Sequence, residues 1–331
     1  MTDPVQQIEH AGEILARARG EIAKRIVGQE VVVELALTAI LSGGHALLVG
    51  VPGLAKTRLV ETLGTVLGLS ANRIQFTPDL MPADILGSEV LEEGQGGQRI
   101  FKFIRGPIFT QLLLADEINR ASPRTQSALL QAMQEKEVTV AGETRPLDKP
   151  FHVLATQNPI EQEGTYPLPE AQLDRFLLQI DIDYPNRDEE RAILLATTGA
   201  EDAVAEPVLD AEALIGLQKT VRAMPVGETV VEAIISLVRS ARPGEPDAVP
   251  AATDNLAFGP GPRAAQSLML AVRARALLQG RLAPSLEDVH ALAKPALIHR
   301  MALTYKARAN RGSVTEVIEG ILVGLSLERA A

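Results

Sequence analysis

The chain has 331 residues, a hydrophobic fraction of 46% and a formal net charge of −10. This length and apolar content predict a folded protein with one large and one smaller domain, and they exclude a mainly disordered chain. The absence of cysteine excludes disulfide and cysteine-based sites, and the acidic balance disfavours broad affinity for nucleic acid.

The N-terminal segment is predicted to form two helices. Apolar residues recur at helical spacing up to Gln29, and a second helix is expected over 31–41, with Gly43 and Gly44 as its stop. The N-terminus lacks the profile of a signal peptide, and no apolar run is long enough to cross a membrane. These features predict a cytoplasmic protein without a membrane span.

Five short apolar runs then alternate with helical segments, which predicts an open parallel sheet covered on both faces. The runs are 45–50, 73–77, 111–116, 151–156 and 176–182. Ser122 and Pro123 predict the start of a helix that continues to about residue 137.

Two segments interrupt this alternation and are predicted to be inserted β-hairpins. Segment 88–105 turns at Gly94, Gly96 and Gly97, and segment 137–147 turns at Gly142. From Asp188 onward the periodicity is helical, with no convincing strand. The sequence therefore predicts a core domain over 1–185 and an all-helical domain over 186–331.

A glycine-rich loop between a predicted strand and a predicted helix is the first motif that carries chemistry. Backbone N–H groups at a helix N-terminus bind phosphate, and glycines let the main chain approach it closely. Lys56 is expected to reach the β- and γ-phosphates, and the Thr57 hydroxyl to ligate Mg²⁺. The expected nucleotide-binding residues of this loop are Gly50, Pro52, Gly53, Leu54, Ala55, Lys56 and Thr57.

Ala55 departs from the usual form of this loop, which has glycine before the lysine. If Ala55 already lies in the first helical turn, alanine has no conformational cost there and propagates the helix better than glycine. The alternative for the whole loop is a glycine-rich connection that binds nothing.

Two further predicted strands end in polar residues. The first ends at Asp116 and Glu117, where Asp116 is expected to bind Mg²⁺ and Glu117 to polarise the attacking water. The next ends at Asn158, which is expected to orient that water or contact the γ-phosphate, although Asn-Pro is also an ordinary turn signal. His152 is expected to be a buried, hydrogen-bonded strand residue and not a catalyst.

Two arginines are candidates for stabilising charge on the γ-phosphate. Arg175 follows a short predicted helix, and Arg263 opens a helix of the second domain. An arginine in this role can come from a neighbouring subunit. Considered without other motifs, both arginines are more typical of surface salt bridges.

Together, the motifs resemble the MoxR family of AAA+ ATPases over nearly the whole chain. The motifs are 26–29, 50–57, 116–120, 157–159, 173–176 and 262–263. The resemblance implies an α/β fold: an AAA+ P-loop αβα core with two inserted β-hairpins, followed by a smaller all-α lid domain. It also implies that ATP and Mg²⁺ are the cofactors.

The resemblance also implies a role for each motif in binding or hydrolysing ATP. In this reading Val27 and Gly28 line the adenine pocket, Lys56 and Thr57 form Walker A, Asp116 and Glu117 form Walker B, Asn158 is sensor 1, Arg175 is the arginine finger for the next protomer, and Arg263 is sensor 2. Arg120 is the second candidate for the finger.

Members of the family commonly form hexameric rings that remodel protein clients, often with von Willebrand A domain partners, in enzyme maturation and metal insertion. Three alternatives remain: a nucleic-acid motor, a magnesium-chelatase-type subunit, and a scaffold that binds ATP but barely hydrolyses it. The predicted hairpin tips, 92–97 and 141–145, are acidic and mixed in charge, which disfavours strand tracking along nucleic acid.

Overall fold

The computed structural model describes residues 4–93, 99–159, 164–197 and 203–328. Its strands are β1 (Ala46–Gly50), β2 (Ala71–Gln75), β3 (Gly87–Glu93), β4 (Arg99–Arg105), β5 (Leu112–Asp116), β6 (Glu137–Val140), β7 (Glu143–Pro146), β8 (His152–Gln157), β9 (Leu178–Ile182), β10 (Leu256–Phe258) and β11 (Ala302–Leu303).

Helices account for most of the remaining described chain. They are α1 (Pro4–Arg25), α2 (Glu30–Leu41), α3 (Lys56–Val66), α4 (Pro82–Leu86), α5 (Pro123–Glu135), α6 (Glu170–Leu173), α7 (Arg187–Thr197), α8 (Ala211–Ala223), α9 (Glu228–Ser240), α10 (Pro250–Asn255), α11 (Pro262–Leu278), α12 (Leu286–Leu297), α13 (Tyr305–Ala309) and α14 (Val314–Glu328). Short 3-10 helices cover Ile118–Arg120 and Ile298–Arg300.

A five-stranded parallel sheet forms the centre of the core domain, in the order β2-β5-β8-β1-β9. All five predicted strands are present. The order places β5, β8 and β1 side by side, so the motifs that follow these three strands meet at the carboxyl edge of the sheet. Sites in open α/β sheets form at this edge.

Alternating side chains of the strands bury both faces of the sheet, which confirms the predicted αβα layering. In β1, Leu48 packs in a core with residues of α1, α2 and α3. Its neighbour Leu47 packs in a second core with residues of α5 and the 3-10 helix at Ile118. Consecutive strand residues point to opposite faces, so one apolar run serves two cores.

Both predicted hairpins are present, as the antiparallel pairs β3–β4 and β6–β7. The glycines predicted to turn the first hairpin, Gly94, Gly96 and Gly97, lie outside the described residues. A cation–π contact joins the two hairpins, because the Arg145 guanidinium lies 4.0 Å from the ring centroid of Phe103.

The C-terminal part is helical and continues the first core, in which α2 and β9 contact α11 and α12. The expectation that no strand follows Asp188 missed one short antiparallel pair, β10 with β11. Strands of two and three residues are too short to show a period-2 pattern, so they leave no signal in the sequence. None of the described helices is both long and apolar enough to cross a membrane.

Candidate functional site

A cavity of about 490 Å³ lies at the carboxyl edge of the sheet, against the glycine-rich loop. It brings together most of the residues predicted to bind nucleotide. Its lining residues are Pro52, Gly53, Leu54, Ala55, Lys56, Thr57, Arg58, Arg73, Gln75, Asp116, Glu117, Thr156 and Asn158.

The loop backbone explains two of its glycines. A Cβ on Gly50 would lie 2.5 Å from the carbonyl oxygen of Ile182 on the neighbouring strand, so this position requires glycine. Gly53 has a φ of +87°, in the left-handed region that glycine adopts without strain. Among the described residues nothing lies within 4 Å of a Cβ built on Gly53, which leaves the loop open toward the cavity.

Ala55 corrects the prediction made for it. The helix begins at Lys56, and Ala55 is its N-cap with φ 54° and ψ 22°, in the left-handed region. The loop enters α3 through this conformation, which costs a residue with a Cβ roughly 1–2 kcal/mol. Alanine at this position therefore has a conformational cost, contrary to the expectation of a residue in the first helical turn.

Lys56 is half-buried in the cavity wall, and its ammonium donates a hydrogen bond to the carbonyl of Gly50. Burial lowers the pKa of Lys56, and the nearby carboxylates of Asp116 and Glu117 partly oppose that shift. The side chain is thus a desolvated cation beside two acids, which favours its exchange of the carbonyl for a phosphate oxygen.

Asp116 is held on both carboxylate oxygens. The Thr156 hydroxyl donates to its Oδ1 at 2.6 Å, and the Arg73 guanidinium donates to its Oδ2 at 2.7 Å. These contacts fix the orientation of the carboxylate, while further lone pairs on the same oxygens remain for a cation or its water.

Glu117 turns away from β5 in a left-handed conformation, with φ 56°. Its Oε2 accepts hydrogen bonds from Gln75 at 2.8 Å and from Arg120 at 3.0 Å. The second candidate for the arginine finger, Arg120, therefore lies beside the candidate base of its own chain.

Asn158 is buried and lines the same cavity, next to the acids as predicted. Val27 and Gly28 do not line this cavity. The next residue, Gln29, places them near it, since its side-chain amide donates to the carbonyl of Leu54, a lining residue, at 3.3 Å. A Cβ on Gly28 would lie 2.8 Å from the Cβ of Glu189 in α7, so this glycine allows α7 to pack closely.

Arg175 and Arg263 line a different cavity, of about 280 Å³, which we call the arginine cavity. It lies at the amino edge of the sheet, where β1 and β9 begin. Its lining residues are Gly43, Gly44, His45, Met133, Gln134, Lys136, Asp174, Arg175, Leu177, Arg263, Gln266, Ser267, Leu270 and Arg300.

The length of the sheet separates the two cavities. The five residues of β1 span roughly 16 Å at the rise of a parallel strand. A phosphate bound at the glycine-rich loop is therefore beyond the reach of Arg175 of the same chain.

Known proteins share this arrangement of sequence. The profile described as "ATPase family associated with various cellular activities (AAA)" matches residues 45–178, and that of the "AAA lid domain" matches 250–321. The chain is 43% identical to the chaperone MoxR1 of Mycobacterium tuberculosis, over 95% of this chain and 82% of that protein. The chain belongs to the MoxR family of AAA+ ATPases.

Two further comparisons agree with this MoxR assignment. The protein MoxR of Methylorubrum extorquens is 32% identical over 87% of each chain. A crystal structure of a protein from Cytophaga hutchinsonii superposes with a TM-score of 0.88, at 37% identity and 96% coverage of both chains. An AAA+ ATPase with a chaperone-like role is therefore supported for this chain.

The donor set of this MoxR chain fits a magnesium nucleotide. Lys56, Arg58 and Arg73 offer positive charge for phosphate oxygens. The Thr57 hydroxyl and the Asp116 carboxylate are hard oxygen donors of the kind Mg²⁺ prefers. The cavity residues thus match the group that the family implies.

Some residues of the MoxR site were not predicted. Arg73 and Gln75 alternate with buried Ile74 in β2, so their shared face was readable, although its proximity to Asp116 was not. Lys136 and Arg300 reach the arginine cavity only through the packing of the helices, and no sequence motif marks them.

The expectation that His152 is a buried, hydrogen-bonded strand residue is confirmed. The residue is buried, its Nδ1–H donates to the Gly44 carbonyl at 2.8 Å, and its Nε2 lies 3.0 Å from the Gln218 amide nitrogen. Burial lowers the pKa of His152 to about 4, so the ring is neutral at physiological pH and acts as a structural bridge between β8 and α8.

Proposed function

We propose that the protein is a Mg²⁺-dependent ATPase of the cytoplasm that assembles into a ring, a hexamer by family resemblance, and remodels a protein client. Each ATP is held at the glycine-rich loop of one protomer, and arginines of the next protomer complete its catalytic site. One observation carries the shared site: Arg175 and Arg263 lie together at the edge of the sheet opposite the loop. A head-to-tail arrangement of copies brings the two edges together.

In this proposal Lys56 and Thr57 bind the phosphates and metal together with Asp116. The metal, when bound, neutralises developing charge on the phosphates. Glu117 accepts a proton from the attacking water through Oε1, while Gln75 and Arg120 donate to its Oε2 and hold the carboxylate in place. Asn158 holds that water from the neighbouring strand.

Arg263 acts in trans in the same way as Arg175. Its guanidinium lies 3.6 Å from the carboxylate of Asp174, the residue that precedes Arg175. Lys136 and Arg300 line the same cavity, and Asp174 is the single carboxylate among its described lining residues. This excess of positive charge supports an anion from outside the chain as the partner of the cavity.

The first hairpin supports a protein client over nucleic acid. Its described part exposes a set of large apolar side chains: Leu91, Ile100, Phe101 and Ile104. In the second hairpin, Arg145 is held by Glu143 at 2.6 Å and by the ring of Phe103, so it contributes little positive potential. Exposed apolar surface of this kind favours protein contacts.

A subunit-mixing experiment tests the shared site. Glu117→Gln lacks the base but keeps its finger, and Arg175→Ala keeps the base but lacks the finger. Each variant alone should be nearly inactive, whereas rings assembled from equal amounts of both should recover ATPase activity, because roughly one interface in four is intact. Mixtures that stay as inactive as either variant would contradict a shared site.

A second experiment tests the client. The Glu117→Gln variant with ATP should retain a bound protein, and the same variant carrying Phe101→Ser should retain less of it. Proteins recovered in this way also test the von Willebrand A domain partner, enzyme maturation and metal insertion. ATPase stimulation by single-stranded or duplex DNA would instead favour the nucleic-acid motor.

A further inference from the structure

Arg300 is a buried arginine of the lid that lies beneath the segment carrying Arg175. It belongs to the 3-10 helix Ile298–Arg300 and is 3% exposed. Burying a guanidinium is costly unless its donors are satisfied. The contacts of Arg300 therefore show what its burial achieves.

Its guanidinium binds the chain on both sides of Arg175. Nε donates to the Asp174 carboxylate at 2.7 Å, and Nη2 donates to the Phe176 carbonyl at 2.7 Å. Nη1 donates to the Leu177 carbonyl at 3.2 Å. A planar guanidinium with five N–H groups is the side chain able to hold these acceptors at once.

The same group is also anchored within the lid. Nη2 donates to the Ser267 hydroxyl of α11 at 3.1 Å, and Nη1 donates to the carbonyl of Ala296 in α12. The neighbouring His299 donates from Nε2 to the Phe176 carbonyl at 3.1 Å. Two consecutive lid residues thus hold one segment of the core domain.

Asp174 connects this network to the second arginine of the cavity. One of its carboxylate oxygens pairs with Arg300, and the other lies 3.6 Å from Nη1 of Arg263. The segment bearing Arg175 and the helix bearing Arg263 therefore meet at a common carboxylate, which links the positions of the two arginines.

We propose that Arg300 is a positioning residue that sets Arg175 and Arg263 for the neighbouring protomer's nucleotide and makes their placement depend on the lid. The proposal rests on the shared site proposed above. In this role Arg300 acts through its hydrogen bonds to the backbone of 174–177 and to the Asp174 carboxylate. Small displacements of a catalytic arginine relative to a reacting phosphate lower the rate strongly.

Arg300→Lys tests this role. Lysine keeps the charge but offers three donors from one point, so it cannot hold the carboxylate and the carbonyls together. We expect kcat for ATP to fall about 10-fold to 100-fold, while the dissociation constant for ATP at the variant's own loop changes less than about 2-fold.

Subunit mixing separates positioning from a general structural defect. Rings of Arg300→Lys with Glu117→Gln should recover activity, because the Arg300→Lys protomer keeps an intact loop and receives an intact finger. Rings of Arg300→Lys with Arg175→Ala should not exceed the residual activity of Arg300→Lys alone, because neither protomer supplies a well-placed Arg175. A protomer with a generally damaged fold would fail in both mixtures.

A second variant and a control accompany this test. Asp174→Asn keeps the size of a partly exposed side chain but removes its charge, which weakens its pairing with Arg300 and Arg263. It should therefore behave like Arg300→Lys in both mixtures, with a smaller loss of kcat. Arg281→Lys changes a lid arginine that pairs with Asp288 inside the lid and does not touch 174–177. It should leave kcat unchanged.

Three outcomes would overturn the proposal: full activity of Arg300→Lys, recovery with Arg175→Ala, or failure to recover with Glu117→Gln. If Arg300→Lys does not fold, the same three outcomes apply to Asp174→Asn. The mixture of Arg175→Ala with Glu117→Gln distinguishes the shared site from the role of Arg300. If that mixture recovers no activity, both the shared site and the role of Arg300 are refuted. If it recovers activity but the mixture of Arg300→Lys with Glu117→Gln does not, only the role of Arg300 is refuted.

Discussion

The two cavities lie at opposite edges of the same sheet, and they differ in how their charges are balanced. In the loop cavity, Asp116 and Glu117 are paired within the chain to Arg73 and Arg120. In the arginine cavity positive charge is in excess. Arg175, Arg263 and Lys136 line it, and Asp174 is the single carboxylate among its described lining residues.

This difference shows which cavity depends on another molecule. The loop cavity has donors for a phosphate chain and a cation, and all of them belong to one chain. The arginine cavity has an excess of positive charge and lies too far from the loop of the same chain to contact a phosphate bound there. An anion from a second copy can pair with this charge, which is the physical basis of the ring we propose.

The largest expected effect comes from removing the finger. Arg175→Ala should lower ATP turnover by about 10³-fold, because the transition-state charge on the γ-phosphate loses its partner. The dissociation constant for ATP should change less than about 2-fold, because the loop cavity is untouched. Steady-state ATPase assays and nucleotide titrations measure the two quantities. If Arg175→Ala weakened ATP binding as much as turnover, Arg175 would contribute to the binding of ATP, and the proposed division of roles between the two cavities would be wrong.

Lys56→Ala, in contrast to Arg175→Ala, should weaken the binding of ATP itself. Loss of a charge-assisted contact to phosphate should weaken ATP binding by about 100-fold, or about 3 kcal/mol. Calorimetric titration with ATP measures it, and Lys24→Ala, which removes an exposed lysine paired with Glu21, serves as the control. Undiminished affinity in Lys56→Ala would contradict the nucleotide assignment of the loop.

Acid should destabilise the protein through three histidines that are buried at the arginine edge of the sheet. His45, His152 and His299 are buried at that edge, and burial lowers their pKa values to about 3, about 4 and about 3, from 6.5. All three are neutral in the folded state and gain protons on unfolding below pH 6.5. The stability they provide is complete above that pH and decreases as the pH falls toward 4.

The expected slope is at most about 1.4 kcal/mol per pH unit for each of these histidines, and it comes nearest to that limit around pH 5, between the pKa values of the unfolded and the folded state. Urea unfolding at a series of pH values measures it. His45→Gln should reduce the slope by one histidine's share, and His10→Gln, which changes an exposed residue, should not alter it. A stability that is constant from pH 7 to 5 would refute the burial of these groups as neutral rings.

The smallest effect is expected at Ala55. Ala55→Gly removes the cost of the left-handed conformation but increases the entropy of the unfolded chain, so the net gain in the free energy of unfolding should be about 0.5 kcal/mol. Ala55→Val should lower it by about 1–2 kcal/mol, because a β-branched side chain tolerates that conformation worse. Denaturant unfolding compares both variants with the unchanged protein, and an Ala55→Gly variant that is less stable than that protein would place Ala55 in a normal helical conformation.

Much of the fold was predictable because its signals are local. The apolar runs gave the five strands of the sheet, and Ser122 with Pro123 gave the start of α5, where the Ser122 hydroxyl accepts a hydrogen bond from the Thr125 amide. The pair β10–β11 was missed because its strands are too short for any periodicity. Ala55 was misjudged because the conformation of one residue in a loop depends on how the loop joins the helix.

The amino-acid sequence alone predicted the chemistry of the candidate site: a phosphate-binding loop, two acids and an amide after neighbouring strands, and two arginines further along the chain. It could do so because motifs of this kind are written in consecutive residues and in alternating hydrophobicity. The three-dimensional structure was needed to show that Arg175 and Arg263 share one cavity at the far edge of the sheet and that Arg300 holds the segment 174–177. These facts depend on packing between distant parts of the chain, since Arg300 and Asp174 are 126 positions apart. Arg120 and Glu117 are close in sequence, but their pairing depends on the left-handed conformation of Glu117, which no motif marks.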